Sequence, residues 1–152
     1  MAALDYYGIE INGIQRVLDD HALIGGANPR VRTFIEDAIM FSAEMSPAVY
    51  IYAMRRDAVV TDQRLAAGRR TDMTIRFSLW CVDVNFESIA AASKGRDELI
   101  GNVEIALMEN RTLNSLVKSS WLEGGAFETG GGDNGFISAG EVVLIATANA
   151  VI

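Results

Sequence analysis

The chain has 152 residues, half of them hydrophobic and 22% charged, with a formal net charge of −7. That length suits one domain and that apolar share supplies a core, which excludes wholesale disorder. Twenty acids against thirteen Lys and Arg make a poor binder of nucleic-acid backbones, and a single cysteine, Cys81, excludes an internal disulfide and suits a reducing cytoplasm. No apolar run reaches the ~18 residues of a membrane helix. MAALDYYGIE lacks a basic segment followed by an apolar stretch, so no signal peptide is expected.

Residues 5–21 read as a helix, with Ile9, Ile14, Val17 and Leu18 on one face and Gln15, Arg16, Asp19 and Asp20 around them. The glycines and proline of GGANP (25–29) stop it. Residues 30–45 fit two templates: Val31, Thr33 and Ile35 alternate as in a strand, while IEDAIMFSAEM also suits a short helix. AVYIYAM (48–54) is a strand rich in β-branched and aromatic residues. A polar, arginine-rich stretch with a weak strand at 58–61 follows. In DMTIRFSLWCVDV (72–84), Met73, Ile75, Phe77, Leu79 and Cys81 alternate with Thr74, Arg76, Ser78 and Trp80, the period of a half-buried strand. These two strands are expected to pair antiparallel across a long arm.

The main helix is expected over 86–109, where Ile89, Ala92, Leu99, Ile100, Val103, Ala106 and Leu107 recur at spacings of three and four. Gly95 inside it leaves open a kink, or a start near Ser93. A turn at TLNSL and a strand occupy 111–128, a glycine-rich loop 124–135, and a closing strand EVVLIATANAVI (141–152). No repeat or linker divides the chain. The order predicts a single α+β domain over 1–152: an antiparallel or mixed sheet with helices packed on one face.

No catalytic constellation emerges. The one histidine, His21, stands at a helix end, where it serves as a solvated or capping group, and a hydrolytic triad needs a positioned base. One histidine and one cysteine cannot complete a structural zinc site, so neither metal nor cofactor is expected. Cys81 on an apolar strand face reads as a buried, inert thiol. GGGDNG (130–135) fits G-x-G-x-x-G literally, but the dinucleotide fingerprint needs a helix directly after it, and a strand-like segment follows; a hairpin loop explains the glycines more simply. Asp133 and Asn134 lack the spacing of a calcium loop.

The arm is more informative. Arg55, Arg56, Arg64, Arg69, Arg70 and Arg76 face only Asp57, Asp62 and Asp72, so this stretch is basic within an acidic molecule. It is either a solvated loop or an interface arm, since arginine forks pair with carboxylates across protein contacts. Charge separated within one chain favours head-to-tail rings.

From residue 47 onward the order of features resembles phage tail terminator proteins, the family of lambda's minor tail protein U. SPAVYIYAMRRDAVV is a proline-led strand entering a long arm, and RRTDMTIRFSLWCVDV is its partner. The helix KGRDELIGNVEIALMENRTL, a glycine-rich hairpin and a terminal strand follow. The resemblance implies a non-enzymatic virion protein that assembles in the host cytoplasm. It forms a homo-hexameric ring on the tail tube protein, stops tube growth and meets the head–tail connector at the tail–neck junction. DNA then passes through the lumen without specific binding, in keeping with about −42 for six copies. The family offers no catalytic residues to carry over. The physical expectation is that Arg55, Arg56, Arg64, Arg69 and Arg70 meet neighbouring subunits or the tube. A second partner then meets the loop at Gly130, Gly131, Gly132, Asp133 and Asn134. A head-closure protein of the neck is the alternative.

Overall fold

The computed structural model describes residues 4–59, 70–132 and 135–151. The first helix begins where the Asp5 carboxylate accepts the Gly8 N–H at 2.9 Å. It runs on through α1 (Tyr6–Gly8), a π-helical segment (Ile9–Gln15) and α2 (Arg16–Asp20). The backbone turns extended at His21, so the helix stops ahead of the glycines, and GGANP lies in the connection beyond. Gly25 there passes so close to the Asp19 carbonyl that a Cβ would overlap it.

The ambiguous 30–45 segment splits into a strand, β1 (Arg32–Ile35), and an irregular stretch with no helix. Glu36 ends the strand at φ +48°, and the stretch beyond is held by side chains instead of its own backbone ladder. The Met40 N–H donates to the Tyr50 hydroxyl at 3.0 Å, and the Tyr52 hydroxyl donates to the Asp37 carbonyl. Phe34 stacks on Tyr50 with ring centroids 4.9 Å apart.

Strands β2 (Ala48–Val59) and β3 (Arg70–Asn85) pair antiparallel from Ala48 opposite Val82 out to Val59 opposite Asp72, with a bulge at Met54. The two strands thus take in residues 55–59 and 70–71 at the two ends of the expected arm, and residues 60–69, with part of the weak strand expected at 58–61, lie outside the described residues. Helix α3 (Ile89–Glu109) follows, its first turn capped by Ser88, whose Oγ accepts the Ala91 N–H at 3.0 Å. Gly95 neither starts it nor ends it. The glycine lets the helix pass against the Asp83 carboxylate, which a Cβ would press upon. Ile89, expected in the buried stripe, is exposed.

The last third corrects the expectation more substantially. After β4 (Ser119–Glu123), part of the supposed glycine loop is a strand, β5 (Phe127–Gly132). The closing strand β6 (Gly135–Val151) starts six residues earlier than its apolar run suggests. Because β5 pairs with β6 alone, its glycines are tolerated at an edge where no second ladder is lost.

Among the described residues the result is one six-stranded mixed sheet in the order β1-β2-β3-β6-β4, with β5 beside β4 on the same edge of β6, and of its strand pairs only β1–β2 is parallel. The α+β expectation, helices on one face included, is met. Residues 73, 75, 77, 79 and 81 of β3 lie in register with 148, 146, 144, 142 and 140 of β6. The aliphatic side chains of that face pack with Val49, Ile51 and, from the helices, Ile14, Leu18, Leu99, Val103 and Leu107. A smaller cluster on the far face gathers Ala48, Tyr50, Val82 and Ala139 beneath Phe34 and Ile39.

Candidate functional site

The two regions singled out by sequence stand at opposite ends of β6. At one end Arg70 lies opposite Val151 and Asp72 opposite Asn149; at the other, Gly131 lies opposite Phe136 and Gly132 opposite Gly135. Seventeen residues of strand at ~3.3 Å each separate these ends by about 50 Å along the strand.

At the first end, the sheet does not bring all its arginines to one place. The β2 bulge puts Arg56 on the helix side, where its guanidinium lies 5.5 Å over the Tyr6 ring and donates to the Tyr6 hydroxyl at 3.2 Å. Arg55 sits directly across from Arg76 on the other side. Like charges opposed across a ladder repel, and each has its own carboxylate: Asp57 at 2.9 Å from Arg55 and Glu123 at 2.8 Å from Arg76. Lys118 adds a contact to Asp72 at 3.1 Å. Arg55, Arg56 and Met54 are exposed, and with Tyr6, Ala53 and Ile75 they line an open dent of about 320 Å³. Arg64 and Arg69 lie outside the described residues, and Arg70 is placed only as the first residue of β3.

At the second end, Gly130, Gly131 and Gly132 belong to β5 rather than to a loop, and Asp133 and Asn134 lie outside the described residues. Gly135 opens β6 at φ +110°, a conformation side chains rarely adopt. Phe86 and Phe127 are largely exposed nearby, and the Arg96 guanidinium lies 4.3 Å over the Phe127 ring while donating to Ser138 Oγ at 2.9 Å. That cluster ties α3 to β5 and β6. It was not anticipated, because Arg96 reads in sequence as one more charge on a solvated helix face.

His21, Asp19, Cys81 and Asp83 each pack or bond within the fold. His21 Nε2 meets Glu109 at 2.7 Å, and its Nδ1 accepts the Leu23 N–H at 3.2 Å, so the ring joins the end of the first helix to α3 as well as capping a turn. Asp19 accepts from the Thr33 hydroxyl at 2.7 Å instead of only facing solvent. Burial pushes the Cys81 thiol up and keeps it un-ionised, as an inert core group requires. Burial also raises the Asp83 carboxyl, with Glu98 adding to the effect and the Ser46 hydroxyl opposing it.

Glu10 is the group the sequence reading passed over. It is 2% exposed, its Oε1 has no hydrogen-bond partner, and burial together with the Glu36 carboxyl pushes it up to about 8. Its signal was present: Glu10 stands four residues before Ile14 and seven before Val17, on the stripe that faces the core. Among the described residues no group of three or more His, Cys, Asp or Glu is placed to hold a metal, and no helix is long and apolar enough to cross a membrane.

In comparisons with known proteins, the chain matches no family model and no curated protein.

Proposed function

We propose that this chain is a non-enzymatic virion assembly protein of the tail-terminator kind. Six copies form a ring on the last layer of the tail tube, stop tube polymerisation and present a second surface to the head's connector. The protein assembles in the host cytoplasm, resides at the tail–neck junction and lets DNA pass without gripping it. The observation that carries the reading is the polarity of the molecule. One sheet holds an arginine-bearing hairpin at one end and a glycine-rich hairpin flanked by exposed aromatics at the other. A subunit that joins two different partners along an axis needs two unlike ends, and a closed ring needs unlike lateral patches as well.

Electron microscopy of particles made without this gene tests the proposal. Overlong tubes, or tails that never join heads, are the expected result. Normal finished tails beside unjoined or leaking heads move the protein to the neck, and particles indistinguishable from wild type refute both roles.

A further inference from the structure

Helix α3 carries a second apolar stripe that its own sheet does not use. At about 3.6 residues per turn, the core side of the helix is Ala92, Leu99, Val103, Ala106 and Leu107, all buried. Diametrically opposite stand Gly101, Ile105 and Met108. Ile105 and Met108 are each 46% exposed, and no heavy atom lies near the space a Gly101 side chain would fill. The acids are placed symmetrically about this stripe. Asp97 and Glu104 flank it on one side, Glu98 and Glu109 on the other, all four exposed, and residues 97–109 contain no Lys or Arg. Solvation explains the acids, but it does not explain two large apolar residues and a glycine aligned between them. A strip of apolar side chains fenced by carboxylates fits a partner that is apolar at its centre and basic at its rim.

The same chain displays such a partner. The dent beside the β2 bulge has Met54, Ala53, Tyr6 and Ile75 as its apolar lining, and at its edge Arg56 from the helix face of the sheet and Arg55 from the other. Met54 is 56% exposed, and the bulge turns it away from the ladder. The two patches share no residue, so the contact between them is heterologous, the type that propagates from copy to copy and closes into rings.

We propose that the outward face of α3 in one copy seats in the Met54 dent of the next. Ile105 and Met108 enter the dent, Gly101 permits close approach of the helix backbone, and Glu98 and Glu104 pair with Arg55 and Arg56. This deepens the ring-subunit reading and rests on it for the identity of the partner, a second copy. The Arg55–Asp57 pair within one copy is no obstacle, because an exposed ion pair of this kind contributes only about 0–1 kcal/mol and exchanges readily for a contact that excludes water.

Charge exchange and cross-linking together test it. A variant with Met54→Cys and Met108→Cys, treated with a short bismaleimide, is expected to give a ladder of oligomers. Each single cysteine variant stops at monomer or, at most, dimer, because the two sites differ and Cys81 is buried. In complementation of the gene deletion, Arg55→Glu with Arg56→Glu on one copy and Glu98→Arg with Glu104→Arg on another are each expected to fail alone. Co-expressed, they restore finished particles by alternating around the ring. A missing ladder, or full complementation by either reversal alone, overturns this contact. Neither result touches the ring-subunit reading, which stands or falls on the tails made without the gene. Failure of the co-expressed pair, with both variants folded by circular dichroism, also overturns the contact.

Discussion

On the face beneath the helices, β3 presents Met73, Ile75, Phe77, Leu79 and Cys81, every one of them buried against aliphatic neighbours. One residue over, the same strand presents Thr74, Arg76, Ser78 and Trp80 to a face covered at one end by residues 34–40. Elsewhere that face is held by polar pairs: Ser78 to Glu141 at 2.5 Å and Arg76 to Glu123 at 2.8 Å. The first face is dry and non-directional, so its stability scales with area removed from water. The second gains little net stability from any one polar contact, but its pairs fix how β4 and β6 sit against β3. One strand therefore separates two tasks by parity. Folding free energy resides on one side, and positioning of the arm and of β4 on the other.

The largest effect expected from this division is on the dry face. Phe77→Ala removes a fully buried ring at the centre of the sheet and should lower stability by about 3–5 kcal/mol, read from chemical denaturation. A loss below about 1 kcal/mol would mean that the helix face is not the main source of stability.

Glu10 is the exception on that same face, a carboxyl where the pattern asks for an apolar group, and it makes the comparison sharper. Its value in the folded protein is raised from 4.5 to about 8, with burial the leading cause and Glu36 the second. The sign follows directly. The neutral acid is the form the fold accepts, so its contribution is complete below about pH 4.5 and is lost as the pH rises through about 8. Wild-type stability should therefore fall across that window. Glu10→Gln, which keeps the shape and cannot ionise, should flatten the profile and be more stable by about 1–3 kcal/mol at about pH 9. Denaturation midpoints at a series of pH values check this, and parallel profiles for the two proteins would show that Glu10 does not titrate where its surroundings predict.

How far these features were legible in the sequence follows the same line between the faces. Alternation in 72–84 and the threefold and fourfold spacings in 86–109 read out the dry face almost residue by residue, because burial of apolar area depends on periodicity alone. What escaped was settled by partners far along the chain. Residues 36–45 were compatible with a helix until Tyr50 and Tyr52 supplied the hydrogen bonds their backbone needs. β5 looked like a loop because strand propensity undervalues glycines that a waiting edge of β6 pairs anyway. Of the candidate site, the basic arm was legible as composition. Its division into Arg56 on one face and Arg55 on the other was not, since that depends on the bulge at Met54, for which the sequence carries no signal.

That division bears on the smallest effect, and on the far face. Arg76 lies between two influences: Arg55 opposite it across the ladder, which repels, and Glu123 on β4, which attracts. Removing Arg76 therefore relieves one interaction as it loses the other, and Arg76→Ala alone should be close to neutral. The attraction becomes visible only in a double-mutant cycle with Glu123→Ala, where the coupling should be about 0.2–1 kcal/mol and should shrink as salt is added. Both side chains are more than a third exposed, so a larger coupling would imply water-excluding packing that this face lacks. A coupling of zero at low salt would mean that β4 is held to the sheet by its ladder to β6 alone, and that the polar pairs of the far face position nothing.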